Sequence, residues 1–458
     1  MPIYERLIII KTDAQDRQYK KMTETPIPKL VSALAVPTVI SMLVSAIYNS
    51  ADAYFVSRIG TSASGAVGVV FSLMAIIQAI GFTIGMGSGS IIARLLGAKK
   101  GDEAAEVASS GLFAGISFGI IIILAMSFKM PFFMKSFGAT DTILPHAVQY
   151  GRYIVFGAPF MMGVYALNNI LRSQGKAKYA MLGITSGAIL NIGLDPLFIF
   201  TFKLGTAGAA LATLLSQIIS FSILLSFFFT GKSAVKLSVF KISRSVMTYL
   251  NIFKTGLPSL ARQGFASVAV MLLNRSAALY GDAAVASMSI VGKVFMMIFA
   301  VMLGIGQGYQ PVLGINYGAK KYDRVKSAFY FTFFLSLAVA CVLGVPVFVF
   351  ARRIMAMFTK DDIKVIEYGV TALRAQCFAL VLIPINNICS MTLQMTGKSW
   401  TATLLSCMRQ GIFFIPLILI LPKYMGIGGV QYSQPIADAV TSICAIPFGV
   451  QFIKELKE

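Results

Sequence analysis

At 458 residues the chain could hold two or three soluble domains, but 57% of it is hydrophobic and only 12% charged, about half the charged share of a soluble protein. That balance excludes a soluble multidomain protein and calls for a membrane protein. The net charge of +21 is spread along the chain, not gathered into a nucleic-acid groove. With the N-terminus set on the cytoplasmic side, the tails and loops there carry more than twice as many Lys and Arg as those opposite, which is the bias that orients membrane spans. No nucleic-acid partner is expected.

Residues 1–29 are polar apart from the short run Leu7-Ile8-Ile9-Ile10 and lack the apolar core and cleavage site of a signal peptide. They are expected to form a mobile cytoplasmic arm, with Met22 as an alternative start. Apolar runs then follow at 30–57, 65–93, 107–128, 147–171, 179–201, 206–230, 249–279, 285–314, 327–351, 366–395, 400–422 and 427–453. Each reaches the roughly 20 helical residues needed to cross a hydrocarbon core about 30 Å thick. Lipid offers no partner to a backbone N–H, so the spans must be helices, and no period-two alternation argues for a barrel. Cys341, Cys377, Cys389, Cys407 and Cys444 fall inside spans without paired spacing and read as small packing residues.

The chain repeats itself at an offset of 221 residues. Pro37 meets Pro258, Gly60 meets Gly281, Gly85 and Gly87 meet Gly306 and Gly308, and the loop Gly97-Ala98-Lys99-Lys100 meets Gly318-Ala319-Lys320-Lys321. Each half holds six spans, an even number, so the halves share one orientation. The expected fold is an all-α membrane protein of twelve transmembrane helices in two six-helix lobes related by a parallel repeat. Its parts are a tail at 1–29, an N-lobe at 30–230, a linker at 231–248, a C-lobe at 249–453 and a short tail at 454–458. Parallel repeats of this kind suit alternating-access transporters.

No nucleotide-hydrolysing site is expected. Gly-Lys-Ser occurs at 231–233 and 397–399, but the leading glycine of a phosphate loop is Ser226 in one case and Thr392 in the other. The single histidine, His146, has no Cys or acidic residue at ligand spacing, so no zinc site is expected. The chain is expected to be no enzyme and to need no cofactor, with an H⁺ or Na⁺ gradient as the driving force.

Three acids interrupt the spans: Asp52, Asp195 and Asp438. A carboxylate at mid-bilayer costs about 2.5–3.5 kcal/mol on insertion scales, so such residues face an interior and serve function. Asp195 follows Asn191 by four residues in NIGLDP, which sets both on one helical face, and Pro196 withholds a backbone donor beside them. Asp52 stands with Asn49 and Tyr54 in the first span. Two carboxylates sharing a site of low dielectric cannot both ionise cheaply, so a single cation, H⁺ or Na⁺, would join them. Asp438 is expected nearer the end of the last span. The second half carries cations instead, Arg262, Arg275, Lys293, Arg374 and Arg409; Arg262 and Arg275 are candidates to meet anionic substrate groups.

The strings NSADAYFVSRIG (49–60), GMGSGSIIARLLGAKK (85–100), LRSQGKAKYAM (171–181), NIGLDPLFIF (191–200), GINYGAKKYDRV (314–325) and RQGIFFIPLILI (409–420) resemble the multidrug and toxic compound extrusion (MATE) family, in its DinF/MepA-like branch, over nearly all of residues 25–455. The resemblance implies two lobes around a central cleft and export against entry of H⁺ or Na⁺. It carries the coupling carboxylates onto Asp52 and Asp195 and the polar ligands onto Asn191 and Thr213, which would also be the metal ligands if the ion is sodium. Asn168 and Asn169 are cavity candidates by position. The acids that the NorM branch uses in its second lobe have no counterpart in spans seven, eight or ten.

The expected function is therefore an antiporter exporting amphiphilic, cationic compounds from the cytoplasmic membrane. It would act as a monomer among membrane lipids with both termini cytoplasmic. The alternative is an exporter or flippase for anionic or lipid-linked metabolites.

Overall fold

The computed structural model describes residues 16–359 and 362–456, and every long element in them is a helix. The spans are α1 (Ile27–Ser57), α2 (Thr61–Gly97), α3 (Gly101–Ser127), α4 (Leu144–Ser173), α5 (Ala177–Thr201), α6 (Gly205–Phe229), α7 (Val246–Ala278), α8 (Asp282–Gly318), α9 (Tyr322–Val349), the bent pair α10 (Ile363–Leu380 with Ile383–Met395), α11 (Ser399–Met425) and α12 (Ile427–Glu455). Counting the bent pair once, twelve helices are long and apolar enough to cross a membrane.

Local chemistry sets the ends of these helices. Asp362 caps α10 by accepting from the N–H groups of Lys364 and Val365 at 3.0 and 3.2 Å. The α10 bend of 50° falls just before Pro384, which has no N–H to offer the preceding turn. The repeated Gly-Ala-Lys-Lys loops make the same turn, with φ of 60° at Lys99 and 57° at Lys320. In each case an aspartate follows in the first turn of the next helix, Asp102 in α3 and Asp323 in α9, where the helix dipole favours it.

The chain forms two compact units whose borders cross the sequence halves. The first holds the described residues up to Thr25, then Ile40–Gly256 and Gly314–Lys320; the second holds Pro26–Val39, Leu257–Leu313 and the described residues from Lys321 onward. The repeated glycines give the physical reason. In the first unit α7 lies so close to α2 that a Cβ on Gly87 would meet the Ile252 carbonyl at 1.9 Å. In the second, a Cβ on Gly308 of α8 would meet Ala35 of α1 at 2.5 Å. Each repeat thus packs the start of the other repeat's first helix onto its own second helix, and only glycine leaves room for it. Within the first unit α4 is the central post, packed on α2, α3 and α6. In the second, α12 packs on both parts of α10 and on α11.

Two expected loops are ordered instead. Residues 16–24 form a helix, and Met22 is wholly buried. Gln18 Nε2 donates to the Gln174 carbonyl at 2.7 Å, Asn316 Nδ2 donates to the Met22 carbonyl at 3.0 Å, and Lys99 sits 4.8 Å from the Tyr19 ring centroid. This segment is no mobile arm, because its polar groups satisfy the loop ends beneath it. The run Leu7–Ile10 lies outside the described residues. The linker 231–248 is pinned to the first unit: the N–H groups of Ser238 and Ser243 donate to the hydroxyls of Ser109 and Ser110, and Lys241 pairs with Asp102 at 2.7 Å.

Candidate functional site

In the first unit, α1, α4, α5 and α6 each contribute to one buried polar cluster. Asp52 comes from the last third of α1 and is 8% exposed; Asp195 comes from α5 and is wholly buried. The helical spacing of Asn191 and Asp195 puts their side chains together. With the Asn191 amide turned to satisfy both its ends, its nitrogen donates to Asp195 Oδ2 at 3.0 Å and its oxygen accepts from the Thr213 N–H of α6 at 3.2 Å. The two aspartates lie within electrostatic reach of each other. Oδ1 of Asp52 and Oδ1 of Asp195 both lack a hydrogen-bond partner among the described residues.

Pro196 cannot donate to the preceding turn, and directly after it the helix relaxes into a π-helical turn over Leu197–Thr201. The backbone is therefore irregular where the carboxylate sits. Two tyrosines complete the cluster and have no place among the sequence candidates. Tyr150 of α4 is wholly buried, within electrostatic reach of both aspartates, and its hydroxyl meets no partner at bonding distance. Tyr48 of α1 is within reach of both as well. Tyr48 stands four residues before Asp52, a spacing that could have revealed it; nothing in the sequence around Tyr150 points to the site.

Beside this cluster lies a cavity of about 140 Å³ with Tyr48, Asn49, Gln78, Tyr165, Asn191 and Gln217 in its wall. Met42, Met74, Met161, Phe71 and Phe82 supply much of the apolar surface, and no Lys or Arg lines it. A polarizable wall of Met and Phe without a Lys or Arg suits an apolar body.

Other candidates fall elsewhere. Asn168 donates to the Ala180 carbonyl at 2.9 Å and so ties α4 to α5. Asn169 donates to the Tyr165 carbonyl at 2.7 Å and accepts from Arg172. Both are buried packing residues and neither lines the cavity, because each spends its amide on neighbouring helix turns. Arg275 stands exposed in the last turn of α7, where a long side chain reaches the interface. Arg262 belongs to the second unit. Asp438 is not near a helix end; it lies well inside α12, 2% exposed, with its Oδ1 accepting from Arg409 Nε at 2.7 Å. Among the described residues no three His, Cys, Asp or Glu gather as a metal cluster.

The MatE family model matches residues 37–197 and again residues 258–420, once in each half. The chain belongs to the MatE family. It is 26% identical over 433 residues to the multidrug export protein MepA of Staphylococcus saprophyticus, covering 94% of this chain and 95% of that protein. A solved MATE in complex with MaL6 superposes with a TM-score of 0.91 at 28% identity, over 96% of this chain and 99% of the other. An outward-facing multidrug resistance MATE family transporter of the MOP superfamily matches with a TM-score of 0.90 at 28% identity, over 95% and 98%. This MatE chain is thus a multi-pass membrane transporter and not an enzyme, and it resembles the MepA proteins over 94% of its length.

Proposed function

We propose that the chain is an antiporter that expels amphiphilic, cationic compounds from the cell in exchange for H⁺ or Na⁺, with both termini on the cytoplasmic side. One observation carries the reading: Asp52 and Asp195 bring two buried carboxylates into one cluster, and each keeps an oxygen without a protein partner. Two like charges within electrostatic reach of each other in a medium of low dielectric repel unless a cation joins them. A single proton satisfies the pair, with Asn191 holding Asp195 in place. A sodium ion would find the same two carboxylate oxygens, the Asn191 amide oxygen and the Thr213 hydroxyl, all hard donors of the kind such an ion takes.

Exchange follows from differential affinity. The ion stabilises the packing of α1, α5 and α6 in which the carboxylates meet. A cationic substrate beside them supplies the same charge and favours the packing in which they are apart. Neither ligand moves the equilibrium unless it binds the two packings unequally. The names of the MepA relatives, which describe multidrug export, support the export of drugs.

The test is ethidium efflux from proteoliposomes under a proton gradient alone and a sodium gradient alone. Wild type should respond to one of the two gradients. Asp52→Asn and Asp195→Asn should each lose the response while eluting as folded monomers, and full efflux by either variant overturns the assignment.

A further inference from the structure

The second unit holds a cation that its own fold leaves unanswered. Arg262 sits midway along α7, half-buried, and has no hydrogen bond or ion pair among the described residues. It does not face lipid by default, because the residues three before and three after it on the same helical face are both engaged within the unit. Ser259 is wholly buried and accepts from Gln394 Nε2 of α10 at 3.1 Å. Phe265 packs its ring on Gly411, where an added Cβ would lie 3.1 Å from it. Gly411 belongs to a π-helical turn, Met408–Phe414, that also carries Arg409, and Arg262 lies within electrostatic reach of that second guanidinium.

The one acid deep in these spans cannot serve Arg262. Asp438 Oδ1 already accepts from Arg409 Nε at 2.7 Å and from Gln434 Nε2 at 2.9 Å, and Oδ2 accepts from Arg409 Nη2 at 3.3 Å. Arg409 in turn lies 4.7 Å from the centroid of the Phe299 ring. The pair is internally balanced and leaves Arg262 without an acid of its own. A membrane-embedded cation without a partner is costly and marks a ligand path. A guanidinium with its planar fork free is the group that takes a carboxylate or a phosphate through two parallel hydrogen bonds.

We propose that Arg262 is the contact residue of an anion site inside the second unit, which takes a carboxylate or phosphate group borne on an amphiphilic molecule, with Arg409 adding its field and Phe299 an apolar face. The site is separate from the Asp52–Asp195 cluster, and it extends the ligand range of this transporter to anionic or zwitterionic amphiphiles. It rests on the proposed export function only for the ligand's route; binding itself needs neither gradient nor ion.

Equilibrium binding tests it. Purified protein in nanodiscs of phosphatidylcholine is titrated with tritiated cholate, an amphiphilic carboxylate, against empty discs. Wild type should bind cholate, and methyl cholate, which lacks the charge, should not displace it. Arg262→Gln should weaken binding at least about tenfold, Arg262→Lys less, since a point charge keeps the attraction and loses the fork. Lys423→Gln, which removes an exposed charge at the end of α11, should change nothing.

A second arm replaces cholate with phosphatidylglycerol in the disc and weighs retained lipid by native mass spectrometry. Retention by wild type and its loss in Arg262→Gln, without cholate binding, identifies a lipid headgroup as the anion. Equal cholate binding by wild type and Arg262→Gln, displacement by methyl cholate, or no anion held in either arm overturns the site. If Arg262→Gln does not fold, the cholate against methyl cholate comparison on wild type decides. Because no gradient is applied, failure here leaves the efflux result at Asp52 and Asp195 untouched, and the converse holds.

Discussion

The two halves share a backbone plan and differ in the charged side chains that their spans bury. In the first unit, two buried acids present free oxygens beside Asn191, Thr213 and Tyr150, and the neighbouring cavity has no Lys or Arg in its wall. In the second, the deep acid Asp438 is fully engaged by Arg409 and Gln434, and Arg262 has no hydrogen bond or ion pair among the described residues. The glycine contacts, the Gly-Ala-Lys-Lys turns and the π-helical turns in α5 and α11 recur in both. The repeat therefore fixes where helices cross, and the two halves differ in a handful of buried side chains.

The sharpest way to break this comparison is to exchange the roles of the acids. Removing Asp195 as Asp195→Asn should abolish ion-driven efflux with little loss of stability, since its carboxylate has one protein donor. Asp438→Asn should do the reverse: it leaves Arg409 buried without its partner, at a cost of about 3–5 kcal/mol. Thermal unfolding in detergent should show the Asp438 variant strongly lowered and the Asp195 variant near wild type. Equal destabilisation by both would remove the distinction between a functional and a structural acid.

Next in size are the matched glycines. Gly87→Ala drives a methyl group into the Ile252 carbonyl and Gly308→Ala into the Ala35 backbone. Overpacking of this kind costs about 1–3 kcal/mol. The two losses should be alike, as both glycines seat the start of the opposite repeat's first helix; a loss confined to one would show that the contacts are not equivalent. Smallest is Gln18→Ala, which removes a hydrogen bond worth about 1 kcal/mol. Faster amide exchange at residues 16–24, with the spans unchanged, is the expected readout.

Much of this was legible in the sequence because membranes impose strong signals. Twelve apolar runs, an even repeat and three acids in otherwise apolar spans are hard to produce by chance, and the four-residue spacing of Asn191 and Asp195 gave their shared face directly. What stayed hidden depends on packing. Nothing local distinguishes Tyr150 from sixteen other tyrosines. Asn168 and Asn169 look like cavity residues until their amides are found tying helix turns together. The ordered segment 16–24 reads as a polar tail because its anchors, Gln174 and Asn316, are about 150 and 300 residues away. The exchange of helix starts between units is invisible to a method that reads boundaries along the chain.

The central claim is that one small cation joins Asp52 to Asp195, and counting ions tests it without any transport. Purified protein is loaded with ²²Na⁺, or held in unbuffered solution with a pH indicator, and then given tetraphenylphosphonium. The account predicts that one Na⁺ or one H⁺ leaves each wild-type chain and that none leaves Asp52→Asn or Asp195→Asn. Release of one ion from either variant, or of two from wild type, would mean that the carboxylates act separately and would contradict it.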